Sequence, residues 1–358
     1  VSEIALEIQS HRGKYPVHFG SIFDGLGNGL RENEHLIIDA NVARLYAKPL
    51  ASALASGRVV IIEATEANKS LEHIPFIIGQ LLGNGCKRGQ TLVAVGGGII
   101  QDITAFLAAT LFRGMDWKLY PTTLLAQADS CIGSKSSINV AGYKNQIGTF
   151  TPPTEIRISA EVLKTLEAKE MHSGVGEMIK VHMISSPEDI TALGADYPRL
   201  FSDPAILKNR ILRSLKIKQA FIERDEFDQG DRLLLNYGHS FGHAIETATE
   251  YAIPHGIAVT LGMDIANYVS MKMGLLESSA YHSLRPLLLA NSRPFERVEI
   301  PLAAFFAALA KDKKNTDANL NLVLSKGPGA IFRQKVALTP EFRGWCEEYF
   351  LKNRSEKH

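Results

Sequence analysis

Over its first 150 residues the chain alternates short apolar runs with amphipathic stretches, and this alternation restricts the possible folds more than any other feature. "HLIIDANV" ends its apolar run at Asp39, "GRVVIIEA" and "TLVAVGGG" repeat the pattern, and "DWKLYPTT" supplies a fourth run. Between them lie "SLEHIPFIIGQLLGNG" and "DITAFLAATLFRG", whose apolar positions recur at helical spacing. A helix between two strands returns the chain in the same direction, so the expected product is a parallel, Rossmann-like sheet. The opening "VSEIALEIQSHRGKYPVHFG" alternates in the manner of an edge strand.

The texture changes after "GTFTPPTEIRIS", where the Pro pair marks the expected domain junction. "SAEVLKTLEAKEMHSGVGEMIKVHMI", with Ser159 as N-cap, reads as a helix. So do "DPAILKNRILRSLKIKQAFIERDE", "RLLLNYGHSFGHAIETATEYA" and "HGIAVTLGMDIANYVSMKMGLL". The expectation is therefore an α/β domain over residues 1–152 and a mostly α-helical domain over residues 153–358, in line with a chain of 358 residues. Hydrophobic residues at 45% and charged residues at 22% are ordinary for a globular protein. A net charge of +1 gives no electrostatic reason to expect nucleic acid or a membrane as partner. Cys86, Cys131 and Cys346 are scattered and show no CxxC spacing, which speaks against a disulfide framework or a cysteine zinc site. With neither a signal-like opening nor a long apolar run, a cytoplasmic protein is expected.

Chemistry is concentrated in three stretches. Gly96, Gly97 and Gly98 stand where a strand gives way to a helix, a place where positive φ and close backbone approach would suit a diphosphate at the helix N-terminus. This is not the GxGxxG pattern, and a tight strand-to-helix turn is an equal reading. Asp39, at a strand end, would accept from a ribose or cap a helix; taken alone, the cap is favoured. "YPTTLLAQADSCIGSKSSINVAGYKNQIG" sets Asp129, Lys135, Lys144 and Asn145 in a polar segment that reads as a long loop, against the bland alternative of a solvated surface. "NYGHSFGHAIETATEYAIPHG" holds His239, His243 and His255, the first two one helical turn apart. "HSFGH" lacks the glutamate of HExxH, so a zincin is not indicated. Glu177 of "GVGEMIK" with two of these histidines would make three ligands and leave a position open, but spacing does not say which two. Lys180, Lys218, Arg232 and "KDKK" flank the same helices and together suit an acidic substrate, though each alone is an ordinary solvated charge.

The segments "GGGIIQD", "PTTLLAQADSCIGSK", "KNQIG", "GEMIK", "NYGHSFGHAIE" and "PHG" resemble, in order and spacing, the dehydroquinate synthases and related sugar-phosphate cyclases. The resemblance implies an N-terminal NAD-binding domain, a helical metal-binding domain, a cleft between them and a homodimer. It implies Glu177, His239 and His255 as ligands of zinc, with cobalt as alternative, and turns His243 toward substrate beside Arg232 and Asn236. Asp129, Lys135, Asn145, Lys180, Lys218 and Lys313 match substrate positions, and Arg113 matches an arginine that reaches the phosphate from a neighbouring subunit. For NAD the matching positions are Asp39, Glu66, Lys69, Gly97, Gly98, Asp102, Thr122, Thr123, Lys144 and Thr165. The implied reaction is the step of the shikimate pathway that turns 3-deoxy-D-arabino-heptulosonate 7-phosphate into 3-dehydroquinate and phosphate. It proceeds by transient oxidation, β-elimination, reduction and aldol closure. A cyclase acting on sedoheptulose 7-phosphate and a metal-dependent polyol dehydrogenase are the rival readings. The chain departs from the family pattern at Thr65, Gln101, Ser134, Ser136 and Ile257.

Overall fold

A computed structural model describes residues 4–311 and 319–354, which fall into two compact units. Lys313 lies outside the described residues.

The first unit is Val1–Leu166 together with Lys218–Asp228. Its strands are β1 (Ile4–Ser10), β2 (Gly13–Phe19), β3 (Glu34–Asp39), β4 (Val59–Ile62), β5 (Thr91–Gly96), β6 (Asp116–Pro121), β7 (Ile138–Val140), β8 (Tyr143–Ile147) and β9 (Glu155–Ile158). Among the described residues, seven of them form one sheet in the order β1-β2-β9-β6-β5-β3-β4. Every pair is parallel except the hairpin β1–β2. The four apolar runs of the sequence are β3 to β6. Leu36, Ile37 and Ile38 of β3 and Leu92 to Val95 of β5 are buried, as expected of central strands covered on both faces. The chain steps outward from β3 to β4 and returns on the other side of β3 as β5. The strand order therefore reverses between β3 and β5. In open α/β sheets, ligands bind at the carboxyl ends of the strands flanking such a reversal.

Two expectations change here. "TEIRIS" is not part of a domain junction: Ile156 and Ile158 are fully buried, and β9 sits between β2 and β6. The expected boundary at residue 152 thus lies inside the first unit, because parallel pairing on both sides ties β9 to the sheet. The polar segment around and after Asp129 is not one long loop either. It opens with a π-helical turn, Ala126–Ser130, and closes with the β7–β8 hairpin.

The second unit, Glu167–Ile217 with Gln229–His358, is mostly helical. Ser159 does cap a helix, but a short 3-10 one, Ala160–Thr165, that belongs to the first unit. The long helix Ala168–Ser185 begins separately. Helices His239–Ala248 and His255–Lys272 follow, and then an unanticipated hairpin of β10 (Asn319–Ser325) and β11 (Ile331–Ala337). Glycine sets how closely the helices approach. A Cβ on Gly256 would lie 1.8 Å from the carbonyl oxygen of Ser173, and one on Gly262 would lie 2.1 Å from that of Gly238. Helix His255–Lys272 can therefore touch both neighbouring backbones only where side chains are missing.

Candidate functional site

In the second unit these contacts bring together residues far apart in sequence. Glu177 lies midway along the Ala168–Ser185 helix, and His239 and His255 are each the first residue of a helix. Oε1 of Glu177 is 3.7 Å from Nε2 of His239 and 3.3 Å from Nε2 of His255. Ligands bound tetrahedrally at about 2.0–2.2 Å stand roughly 3.3–3.6 Å apart, so the 3.3 Å separation matches and the 3.7 Å one is close to what a divalent cation held by these residues requires. The other ring nitrogens face acceptors: Nδ1 of His239 is 3.2 Å from the Tyr237 carbonyl, and Nδ1 of His255 is 3.0 Å from Oε2 of Glu246. A proton held at each Nδ1 leaves the Nε2 lone pairs aimed at Glu177. Lys180 pairs with the other oxygen of Glu177, which orients the carboxylate. Burial disfavours a charged His255, but hydrogen bonds to Glu177 and Glu246 outweigh it and lift its pKa to about 10. A proton and a cation thus compete for the same nitrogen.

His243 is exposed, one turn along from His239, with ring centroids 5.4 Å apart. The ligating atoms of His239, His243 and His255 all lie within 4.8 Å of one another, so proximity alone also admits a three-histidine set. Arg232 is buried on the short helix Asp231–Asn236, and Asn236 at its end donates to the Leu233 carbonyl at 3.1 Å.

In the first unit the candidate nucleotide residues gather at the carboxyl strand ends. Asp39 ends β3, Gly97 and Gly98 follow β5, and Thr122 and Thr123 follow β6. Gly96 to Gly98 do not use positive φ: Gly97 has φ −82°. The reason for glycine is space, since a Cβ on Gly97 would press on Thr123 at 2.8 Å, while nothing lies within 4 Å of one on Gly98. Asp39 accepts from the amide of Asn41 at 2.8 Å and so caps a helix, and burial raises its pKa. Lys69, almost fully buried, binds Asp102 at 3.2 Å and Asn145 at 2.9 Å. Burial raises the Asp102 pKa against the pull of Lys69. Glu66 lies 3.9 Å from both Lys69 and Lys144. Thr165 meets the hydroxyl of Tyr46 at 2.8 Å.

The candidate substrate lysines of this unit are already ion-paired, Lys218 with Asp129 at 2.5 Å and Lys135 with Asp228. Arg113 is exposed in a strained turn, with φ 52° at Phe112 and 67° at Arg113. Sequence reasoning missed Glu246, Asp228, Tyr46 and Ser137, whose hydroxyl binds Asp102 at 3.0 Å. Only Glu246 carried a signal: it stands seven residues after His239, on the same helical face. The departure at Gln101 is explained by a reciprocal pair with Ser130, at 2.7 and 2.9 Å, beside Asp129.

Solved structures share this fold. A 2-deoxy-scyllo-inosose synthase complexed with carbaglucose-6-phosphate, NAD+ and Co2+ superposes with a TM-score of 0.85 at 21% identity, covering 98% of this chain and 99% of that one. The 2-epi-5-epi-valiolone synthase of Streptomyces hygroscopicus subsp. jinggangensis 5008, with NAD+ and Zn2+ bound, gives 0.80 at 24% identity, covering 93% and 96%. These likenesses establish the class of fold. In sequence, the N-terminal model of 3-dehydroquinate synthase matches residues 59–173 and the C-terminal model residues 174–315. The 3-dehydroquinate synthase of Bartonella tribocorum is 36% identical over 312 residues, 84% of this chain and 83% of that protein. That of Idiomarina loihiensis is 37% identical over 315 residues, 86% and 87%. The chain belongs to the 3-dehydroquinate synthase family.

Proposed function

We propose that this chain is a lyase that converts 3-deoxy-D-arabino-heptulosonate 7-phosphate into 3-dehydroquinate and phosphate, with NAD and a divalent metal as cofactors. The observation that carries the reading is the convergence of Glu177 Oε1 on the Nε2 atoms of His239 and His255, at 3.7 and 3.3 Å, in a chain that family models match in both halves. In this reading Glu177, His239 and His255 hold the metal, zinc by the chemistry of a carboxylate and two imidazoles. When bound, the metal supplies Lewis acidity at the substrate oxygens, and NAD supplies reversible hydride acceptance at a substrate carbon.

The chain's own residues bind and orient. Asp39, Glu66, Lys69, Gly97, Gly98, Asp102, Thr122, Thr123, Lys144 and Thr165 are assigned to NAD, with Gly98 leaving room for a diphosphate at the start of the helix Gly98–Thr110. In the second unit, Lys180, Arg232, Asn236 and His243 are assigned to substrate. In the first, Asp129, Lys135, Asn145 and Lys218 are, with Arg113 of a second copy on the phosphate. Cationic groups held by neighbouring carboxylates are pre-oriented, so little freedom is lost when substrate arrives. Lys313 keeps its proposed substrate role on sequence grounds alone. A homodimer and a cytoplasmic location belong to the same proposal. Among the described residues, no helix is long and apolar enough to cross a membrane.

The decisive experiment follows phosphate release and NADH absorbance together, over a panel of sugar phosphates. Phosphate released from the heptulosonate phosphate with no net NADH is the expected result. Stoichiometric NADH would mark a polyol dehydrogenase instead, and equal or better turnover of sedoheptulose 7-phosphate would mark a different cyclase.

A further inference from the structure

Glu246 sits behind His255. Its Oε2 lies 3.0 Å from Nδ1 of that ring, while Nε2 on the far side is 3.3 Å from Oε1 of Glu177. The ring therefore lies between two carboxylates from different helices. It needs holding, because 35% of the His255 side chain is exposed, whereas that of Glu246 is mostly buried, with 13% exposed. His255 is also the first residue of its helix, after Pro254, so no preceding helical turn confines its χ1. Glu246 lies on the helix His239–Ala248, seven residues and two turns beyond His239. One short helix thus carries one proposed ligand imidazole, that of His239, and presents the acceptor that orients another. The connection that brings His255 back to Glu246 passes through Glu250 and Tyr251 in left-handed conformations, φ 50° and 63°, with the Tyr251 amide bound to the Glu246 carbonyl at 2.8 Å.

We propose that Glu246 is a positioning residue for metal binding: it fixes the proton of His255 on Nδ1 and the plane of its ring, so that Nε2 presents its lone pair to the cation. The proposal rests on the reading that Glu177, His239 and His255 are the ligands. An anchored imidazole loses no rotational freedom on binding and cannot offer the wrong nitrogen. Partners of this kind are worth about 10- to 100-fold in metal affinity.

The test measures Zn2+ affinity of metal-free wild type, Glu246→Ala, Glu246→Gln and His239→Ala by competition with a chromophoric chelator, and the ligand-field spectrum of the Co2+ forms. Thermal unfolding of each metal-free protein is measured alongside. Glu246→Ala is expected to weaken Zn2+ about 10- to 100-fold and to shift the Co2+ bands. Glu246→Gln, whose amide oxygen still accepts from Nδ1, is expected to recover most of the affinity and an unshifted spectrum. A role limited to folding would lower the unfolding temperature without altering the Co2+ bands, and would overturn the proposal. Zn2+ affinity within twofold of wild type in Glu246→Ala, while His239→Ala loses the metal, would overturn it too, as would equal weakening in both Glu246 variants. Undiminished affinity in His239→Ala would overturn the ligand assignment itself, and the proposal with it.

Discussion

Lys218 reaches Asp129 twice, with its ammonium 2.7 Å from the main-chain carbonyl and 2.5 Å from the carboxylate. Both side chains are about nine-tenths buried. Removing one member of such a pair leaves a buried charge short of its counter-ion. Lys218→Ala should therefore cost about 3 kcal/mol in urea unfolding. Turnover of the heptulosonate phosphate should fall with it. A variant of wild-type stability would mean that the carboxylate is satisfied without Lys218.

The metal assignment separates two histidines one turn apart. Glu177→Ala, His239→Ala and His255→Ala should each reduce bound zinc by tenfold or more, measured by elemental analysis after dialysis. His243→Ala should keep its zinc and lose turnover. Equal zinc loss in His243→Ala would favour the three-histidine set.

Gly256 tests the helix contact that brings His255 to Glu177. A Cβ there would overlap the Ser173 carbonyl, a backbone atom that cannot swing aside. Gly256→Ala should destabilise by about 2–3 kcal/mol and also weaken metal retention. Gly344→Ala makes the contrast: the Pro340–Glu348 helix has open space at that site, so the change should stabilise by about 0.5–1 kcal/mol. Matching denaturation midpoints for the two variants would refute the packing argument.

Arg213 donates to Asp189 with both Nε and Nη2, at 2.7 and 2.6 Å, and this holds the Asp189 pKa down at about 2. The folded value lies below the unfolded one of about 4. The stabilisation is therefore complete above pH 4 and is lost as pH falls toward 2. Its size is about 1–2 kcal/mol, since the Arg213 side chain is 45% exposed and water screens the pair. Comparing wild type with Asp189→Asn in urea at several pH values between 5 and 2 should show the gap narrowing as pH drops. A constant gap would show that ionisation of Asp189 is not what the pair stabilises.

Substrate choice is tested at Arg232. A bidentate arginine–carboxylate pair is worth roughly tenfold to a hundredfold, and sedoheptulose 7-phosphate offers a neutral hydroxymethyl in place of that carboxylate. Arg232→Ala should lower kcat/KM for the acidic sugar far more than for the neutral one. The same loss on both would remove Arg232 from carboxylate recognition.

By itself the sequence determined the parallel sheet, the helical second half and the residue types of the site, because each is written in local pattern. Strand–helix alternation forces parallel pairing, and four-residue spacing puts His239 and His243 on one helical face. It did not determine that "EIRI" is a central strand, since four residues next to a Pro pair look like a linker until Val17 and Leu119 are found on either side of Ile156. It did not separate close approach from positive φ at Gly97, because glycine serves both and the choice depends on Thr123 opposite. Nor could it give Lys218 to Asp129, or Glu246 to His255. Glu246 meets His255 because of which backbones can touch, and that is decided by long-range packing at glycines such as Gly256 and Gly262, where the absent Cβ is visible only once the opposing carbonyl is in place.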